Sequence, residues 1–275
     1  MNSLRSQARE NSYLDSDKVK TSERTKCISV IIPLWRDDEA LVPLVKQLAA
    51  SPYVRETIIS AAQPAPGLIA SLHSLGAVCL ESAEPNRGRQ LNRGAQIATG
   101  DWLLFHHADS CLSKEHLAAL ADLDLSAALG GAFYRQFDER HPGFRWLERF
   151  ERWHSRAFGT LYGDQSIFVQ RTPFMSLGGF AAIPLMEDVE FSARLRRSGK
   201  VALLDPPMQS SPRQQIEQGA WKVTLRNLVF LVLFRCGISG DRLHAWYYGA
   251  PTTKDQHLRA VRERSSPSAD AAASQ

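Results

Sequence analysis

Several polar residues in this 275-residue chain are of a type and spacing that could do chemistry. Asp109 closes the segment DWLLFHHADS, where Trp102 to Phe105 form a continuous apolar run. Such a run suits a strand buried on both faces of a parallel sheet. Ligands of open α/β sheets bind outside the carboxyl ends of the strands, so a carboxylate at Asp109 is placed for a metal ion or a ligand. His106 and His107 break the same run with polar groups. Upstream, Arg89, Asn92, Arg93 and Gln96 recur at helical spacing on one face, with Leu91, Ala95 and Ala98 on another. Downstream, Glu187, Asp188 and Glu190 open the segment EDVEFSARL. Acidic residues complement the dipole at a helix start, and by residue type alone that is the plainer reading. Asp164 and Gln165 stand immediately before the apolar run Ile167 to Val169.

The elements that must position these groups follow from periodicity. CISVII, Cys27 to Ile32, is a β-branched central strand closed by Pro33. Asp37, Asp38 and Glu39 then favour a helix start. Strands are predicted at Glu56–Ser60, Ala77–Leu80, Trp102–Phe105, Gly130–Phe137 and Val201–Leu204. Helices are predicted over 68–75, 86–96 with Gly100 as its stop, from Ser113-x-x-His116 onward, and over 144–158, 186–195 and 221–234. This alternation implies an α/β fold with a mostly parallel, doubly wound sheet. The helix over 144–158 is expected to pack by its stripe of Trp146, Phe150, Trp153 and Ala157 rather than to expose it.

Composition sets bounds. An apolar fraction of 44% is ordinary for a globular chain, and a net charge of +4 is too small to argue for nucleic acid. It is compatible with nucleotide phosphates or an anionic membrane surface. Cys27, Cys79, Cys111 and Cys236 form no C-x-x-C pair, and Cys27 and Cys79 read as buried free thiols, which fits a reducing cytoplasm. The polar N-terminus has no signal-peptide core. No G-x-G-x-x-G follows the first strand and no P-loop is present. Residues 1–26 and 251–275 read as a disordered arm and tail around one domain over 27–240. Within 221–235 an apolar stripe with cationic residues suits either a membrane interface or a helix packed on the core, and core packing is the expectation.

The segments SVIIPLWRDDEALVPLV, NRGRQLNRGAQIATGDWLLFHHADS, GGAF, GDQSIFVQR and GGFAAIPLMEDVEFSARLRRSG, in this order, resemble the family 2 glycosyltransferases. They look like a bacterial subgroup with RGRQ, HAD, GDQ and IPLMEDVE motifs. The resemblance covers roughly Ile28 to Gly240. It implies a GT-A fold, with a nucleotide-sugar half over 27–112 and an acceptor half over 113–240. It further implies inverting transfer of a sugar from a nucleotide-diphosphate-sugar donor to an acceptor hydroxyl, with Mg²⁺ or Mn²⁺ as cofactor and an acceptor of unknown identity. By the same resemblance, Asp109 matches the metal-binding acid, and His107 stands where the wider family often has Asp, as a second ligand or a strand-end hydrogen-bonding residue. Asp188 resembles the catalytic base, with Glu187 beside it. Arg89 resembles a donor-binding position, a role that a bidentate guanidinium suits. Arg87, Asn92 and Arg93 are explained as well by an exposed helix face. Pro33 and Asp38 lie where the first loop meets the nucleobase, and Asp164 and Gln165 line the cleft or cap a turn.

One departure stands out. Where the family has Asp-Gly-Gly-Ser after the second strand, this chain reads Ser60-Ala61-Ala62-Gln63. Two readings therefore stand, a glycosyltransferase and a degenerate GT-A domain that binds without catalysis. A nucleotidyltransferase is disfavoured, because its glycine- and lysine-rich first loop is missing.

Overall fold

The computed structural model describes residues 13–14, 28–35, 41–82, 84–108, 110–137, 142–210 and 219–249. In chain order the elements are β1 (Tyr13–Leu14), β2 (Ile28–Trp35), α1 (Leu41–Ala49), β3 (Val54–Ala62), α2 (Leu68–Ser74) and β4 (Val78–Ser82). Next come α3 (Arg87–Ile97), β5 (Trp102–Phe105), α4 (Lys114–Asp122), β6 (Gly130–Phe137) and α5 (Pro142–Phe158). A 3-10 turn (Gly163–Gln165) leads into β7 (Ile167–Gln170), α6 (Arg171–Ser176), α7 (Glu187–Ser198) and β8 (Val201–Ser210). Two helices follow, α8 (Ala220–Arg235) and α9 (Gly240–Tyr248).

The strands form one sheet in the order β1-β8-β6-β7-β5-β2-β3-β4. All neighbours are parallel except β7, which runs antiparallel to β5 and β6. Strand alternation divides the core into two layers. Val30, Ile32, Leu104 and Phe168 face one way and pack with Leu44 and Leu48 of α1, Leu72 of α2 and Leu117 and Leu120 of α4. Ile31, Leu103, Phe105 and Val169 face the other way and pack with Leu91 and Ala95 of α3, Phe174 of α6 and Phe191 and Leu195 of α7. The expected α/β architecture is therefore present, with one strand reversed.

Some boundaries differ from the sequence expectation for identifiable reasons. β2 does not close at Pro33 but continues to Trp35. The His106 amide donates to the Ile31 carbonyl, so Ile31 faces β5. Pro33, two residues on, faces the same side. Pairing with β5 has ended by then, at Ile31↔Phe105, so the missing proline N–H breaks no ladder bond. β8 runs on past Leu204 to Ser210, because β6 continues to pair with it beyond a register shift near Arg135. Gly100 is not the helix stop: α3 ends at Ile97 with Ala98 already extended, and the Gly100 amide donates to Ser29 Oγ at 2.9 Å. Cys79 is half-buried rather than buried, and Cys27 lies outside the described residues. So does the predicted helix start at Asp37, Asp38 and Glu39. Of the expected arm, Tyr13–Leu14 pairs with β8; the rest of it and the tail lie outside the described residues.

Helix α5 reverses the packing expectation. Trp146 and Trp153 are more than half exposed, and the stripe lines an open cavity of ≈ 570 Å³ with Arg145, Arg149 and Phe150. The helix docks instead through Leu147, packed with Phe137, and through polar groups. Glu148 accepts from the Phe137 amide at 2.7 Å, Glu151 pairs with Arg135, Arg156 donates to the Tyr134 hydroxyl at 2.9 Å, and Arg152 lies over the Tyr134 ring. The end of β6 offers a cation and a phenol, and these select the charged face of the helix over the aromatic one.

Candidate active site

Arg87 begins α3 directly after the Asn86 cap, whose side chain accepts from the Arg89 amide at 2.9 Å. A cation in a first turn opposes the helix dipole, so Arg87 needs anionic partners. It finds them in the first turn of α7. Its guanidinium is ion-paired with Glu187, which is 5% exposed, and lies 3.8 Å from Asp188. Burial works against the charged guanidinium, but Glu187, Asp188 and Asp164 outweigh it and raise its pKa. The acids of α7 sit at the favourable end of their own helix. Met186, which caps it, takes a left-handed conformation (φ 71°, ψ 18°), a geometry a non-glycine residue holds only when its surroundings enforce it.

The Asp188 carboxylate accepts from the Gly163 amide at 2.8 Å and from the Val189 amide at 2.7 Å. Burial, and then the Glu187 charge, push its pKa up to about 6, against the pull of Arg87 and the two amides. A carboxylate with that value is poised to take a proton near neutrality. Gly163 is indispensable to the arrangement: a Cβ there would fall within the Arg87 guanidinium. Next to it, Asp164 Oδ2 accepts from Arg135 Nη1 at 2.5 Å, and Arg135 also pairs with Glu151 on α5. Burial opposes the charge on Arg135, but Asp164 and Glu151 keep it charged. Burial raises the pKa of the Tyr162 phenol well above its ordinary range, and the charges of Glu151 and Asp188 add to the effect.

The third side of the site is the end of β5. His106 is buried. Its Nδ1 meets Ser166 Oγ at 2.8 Å and its Nε2 the Ser110 carbonyl at 3.1 Å, and burial lowers its pKa to about 4. It is a strand-end hydrogen-bonding residue. Burial, followed by the nearby charges of Arg87 and His106, also holds His107 well below its usual value. The influence of Arg87 on His107 ties the β5 end to the same guanidinium that binds α7. Asp109 and Asp38 lie outside the described residues.

Other residues singled out in the sequence fall differently. Arg89 is exposed on α3, and Pro33 is half-buried in β2. Asn92 holds the Gly-rich turn before α7: its Nδ2 donates to the Phe180 carbonyl and its Oδ1 accepts from the Phe180 amide, both at 2.8 Å. Gln165 is buried, and its Oε1 accepts from the Tyr162 amide at 3.0 Å, so it caps the 3-10 turn. Sequence reasoning missed Gln90, which donates to the carbonyls of Leu34 and Ser60 and ties together the ends of β2 and β3. It also missed Arg135, Glu151 and Tyr162. A lone arginine within the apolar strand GGAFYRQF was the available signal for Arg135.

Two buried polar atoms of the site have no hydrogen-bond partner among the described residues: Arg87 Nε, a donor, and Asp164 Oδ1, an acceptor. Among the described residues no three His, Cys, Asp or Glu side chains gather into a cation site. His107, held neutral, is in the form in which an imidazole can ligate a metal. With Asp109 two positions along, the donor set fits a divalent ion that takes its remaining ligands from substrate oxygens and water.

Solved structures share this fold. A mannosyltransferase from Pyrobaculum calidifontis, PcManGT, solved in complex with GDP-Man and Mn²⁺, aligns over 91% of this chain and 79% of its own, with a TM-score of 0.61 and 17% identity. S. aureus TarS (residues 1–349) aligns over 86% and 73%, with a TM-score of 0.54 and 12% identity. Glucosyl-3-phosphoglycerate synthase from Mycobacterium tuberculosis, in complex with phosphoglyceric acid, aligns over 78% and 81%, with a TM-score of 0.52 and 19% identity. No curated protein matches the chain by sequence. The likeness shows a GT-A fold, a Rossmann-like mixed sheet flanked by helices. The family model described as Glycosyl transferase family 2 matches residues 29–177, more than half of the chain, and the protein accordingly belongs to that family.

Proposed function

We propose that this glycosyltransferase moves a sugar from a nucleotide-diphosphate-sugar to an acceptor hydroxyl with inversion at the anomeric carbon, and that it requires Mg²⁺ or Mn²⁺. The observation that carries the reading is the convergence of Arg87, Glu187 and Asp188, with Asp188 raised to about 6. Asp188 takes the proton of the acceptor hydroxyl as it attacks the anomeric carbon. Glu187 holds Arg87 in place. The spare Nε of Arg87 and the spare Oδ1 of Asp164 are a donor and an acceptor left for the substrate. Arg89, exposed on the first turn of the same helix, is placed to meet donor phosphate from solvent, and Pro33 and Asp38 meet the nucleobase. Asp109 and His107 would hold the cation, which offsets the charge developing on the leaving diphosphate. Gln165 and Asn92 shape the cleft through the backbone segments they hold.

Calorimetric titration with UDP-, GDP- and dTDP-sugars in the presence of Mn²⁺ tests the reading. One donor is expected to bind; a folded protein that binds none of them would overturn it.

A second reading has one observation in its favour. The end of β3 carries Ser60, Ala61 and Ala62, all buried, with no carboxylate for the nucleoside. This suits a domain that binds without turnover. Donor turnover that disappears in Asp109→Ala would eliminate it.

A further inference from the structure

Helix α8 is apolar on both its inner and its outer face. Val223 and Leu231 are buried, yet Leu225, Leu228, Val229 and Val232 are 62%, 39%, 44% and 51% exposed. Their spacing, i, i+3, i+4 and i+7, puts all four on one stripe. Lys222 and Arg235 are exposed at its two ends, Arg235 also donating to Thr160 Oγ1 at 2.8 Å, and the helix contains no acidic residue. Helix α9 packs beside it: Arg226 donates to the Tyr247 hydroxyl at 3.0 Å, and the Phe230 and Tyr247 rings meet edge to face. Trp246 and Tyr248 of α9 are exposed. No helix among the described residues is long and apolar enough to cross a membrane.

We propose that the outer face of α8 docks on an anionic membrane surface, with the four aliphatic side chains entering the headgroup region and Lys222 meeting lipid phosphate. An apolar stripe with a cation at either end is the composition of an interfacial helix. Anionic lipid supplies the negative charge that α8 lacks. A second copy of the chain does not. Parallel pairing of two α8 helices would set Lys222 against Lys222, and antiparallel pairing Lys222 against Arg235, with no carboxylate on either helix to offset them. The patch is also small, on the order of a few hundred Å², against the roughly 800 Å² per partner that a stable interface buries. Residues 250–275, which follow α9, offer only Leu258 and Val261 as large apolar side chains to cover it. Helix α9 starts against Ile183 and Leu185, in the segment that leads into Glu187, so docking would hold the candidate active site at a fixed distance from the bilayer.

The test is co-sedimentation of the full chain with phosphatidylcholine vesicles, with and without about one third phosphatidylglycerol. The anionic vesicles are expected to capture the protein and the neutral ones to capture at least tenfold less, with capture falling as salt is raised. The double variant V229E/V232E should lose capture at least tenfold, while its circular dichroism spectrum, melting temperature and Mn²⁺-dependent nucleotide titration remain unchanged. Lys222→Glu, which leaves the aliphatic stripe intact, should weaken capture severalfold. Failure to bind anionic vesicles, or capture that survives both variants, would overturn the proposal. So would a dimer in light scattering that V229E/V232E dissociates, since the stripe would then be a self-interface. Nucleotide binding is read separately, so failure here leaves the sugar-transfer reading standing.

Discussion

The guanidinium of Arg87, at the start of α3, is ion-paired with the carboxylate of Glu187, at the start of α7, a hundred residues further along the chain. The pair joins α3 to the helix that carries the candidate base. Arg87→Ala leaves Glu187 buried and unpaired. Breaking a buried pair from one side is strongly destabilising, and with Arg87 partly exposed the loss should be on the order of 2–4 kcal/mol in urea denaturation. Arg87→Lys should recover part of it, and Arg87→Ala/Glu187→Gln should lose less than Arg87→Ala alone.

Gly163→Ala makes the complementary perturbation. The added methyl group meets the flexible end of the Arg87 side chain, not backbone, so the fold can yield by displacing the guanidinium. Stability should fall by at most the loss expected for Arg87→Ala, about 2–4 kcal/mol, according to how far the Glu187 pair is broken. Turnover should fall at least tenfold, because Arg87 and the Gly163 amide that supports Asp188 shift together.

The raised carboxyl of Asp188 gives a pH signature of definite sign. Turnover should rise about tenfold per pH unit below about 6 and level off above it. Stability runs the other way. A carboxyl raised from 3.8 to about 6 binds more protons folded than unfolded across that window, so its contribution falls as pH rises through it. Asp188→Asn should therefore be more stable than the parent at pH 7–8, by on the order of 1–3 kcal/mol, with the gain vanishing near pH 4. Thermal melts across pH check it.

Asn92 and Arg89 separate structural from ligand-facing roles on α3. Asn92→Ala removes two hydrogen bonds to the Phe180 backbone and should destabilise by about 1–3 kcal/mol. Arg89→Ala, at an exposed site, should leave melting unchanged within about 0.5 kcal/mol and raise the KM for donor with little change in kcat.

Periodicity made the central strands and helices α1 to α5, α7 and α8 legible in the sequence, and residue type the acids of α7; α6, α9 and the pairing of Tyr13–Leu14 with β8 were not. β5 lies where its continuous apolar run puts it, and α3 where its helical spacing does. The reversed direction of β7 was not legible, because a four-residue apolar run gives no sign of its partner's direction. The packing of α5 was not legible either. Its aromatic stripe looked like the buried face, but the partner surface at Tyr134 and Arg135 selects its charged residues. Arg87 and Arg89 sit in the same motif, where the family resemblance singled out Arg89 and Arg87 read as part of an exposed helix face. What the sequence did not show for Arg87 is the approach of Gly163, 76 residues further on, where an added Cβ would meet its guanidinium. Contacts of that kind between distant segments have no local signature.

The most direct test of the account is release of nucleoside diphosphate from the donor identified by titration, measured with Mn²⁺ for the parent protein and Asp188→Asn. The account predicts donor affinities within about threefold of each other and product release slower by about 10²–10⁴-fold in the variant. Release by Asp188→Asn at the parent rate would contradict it.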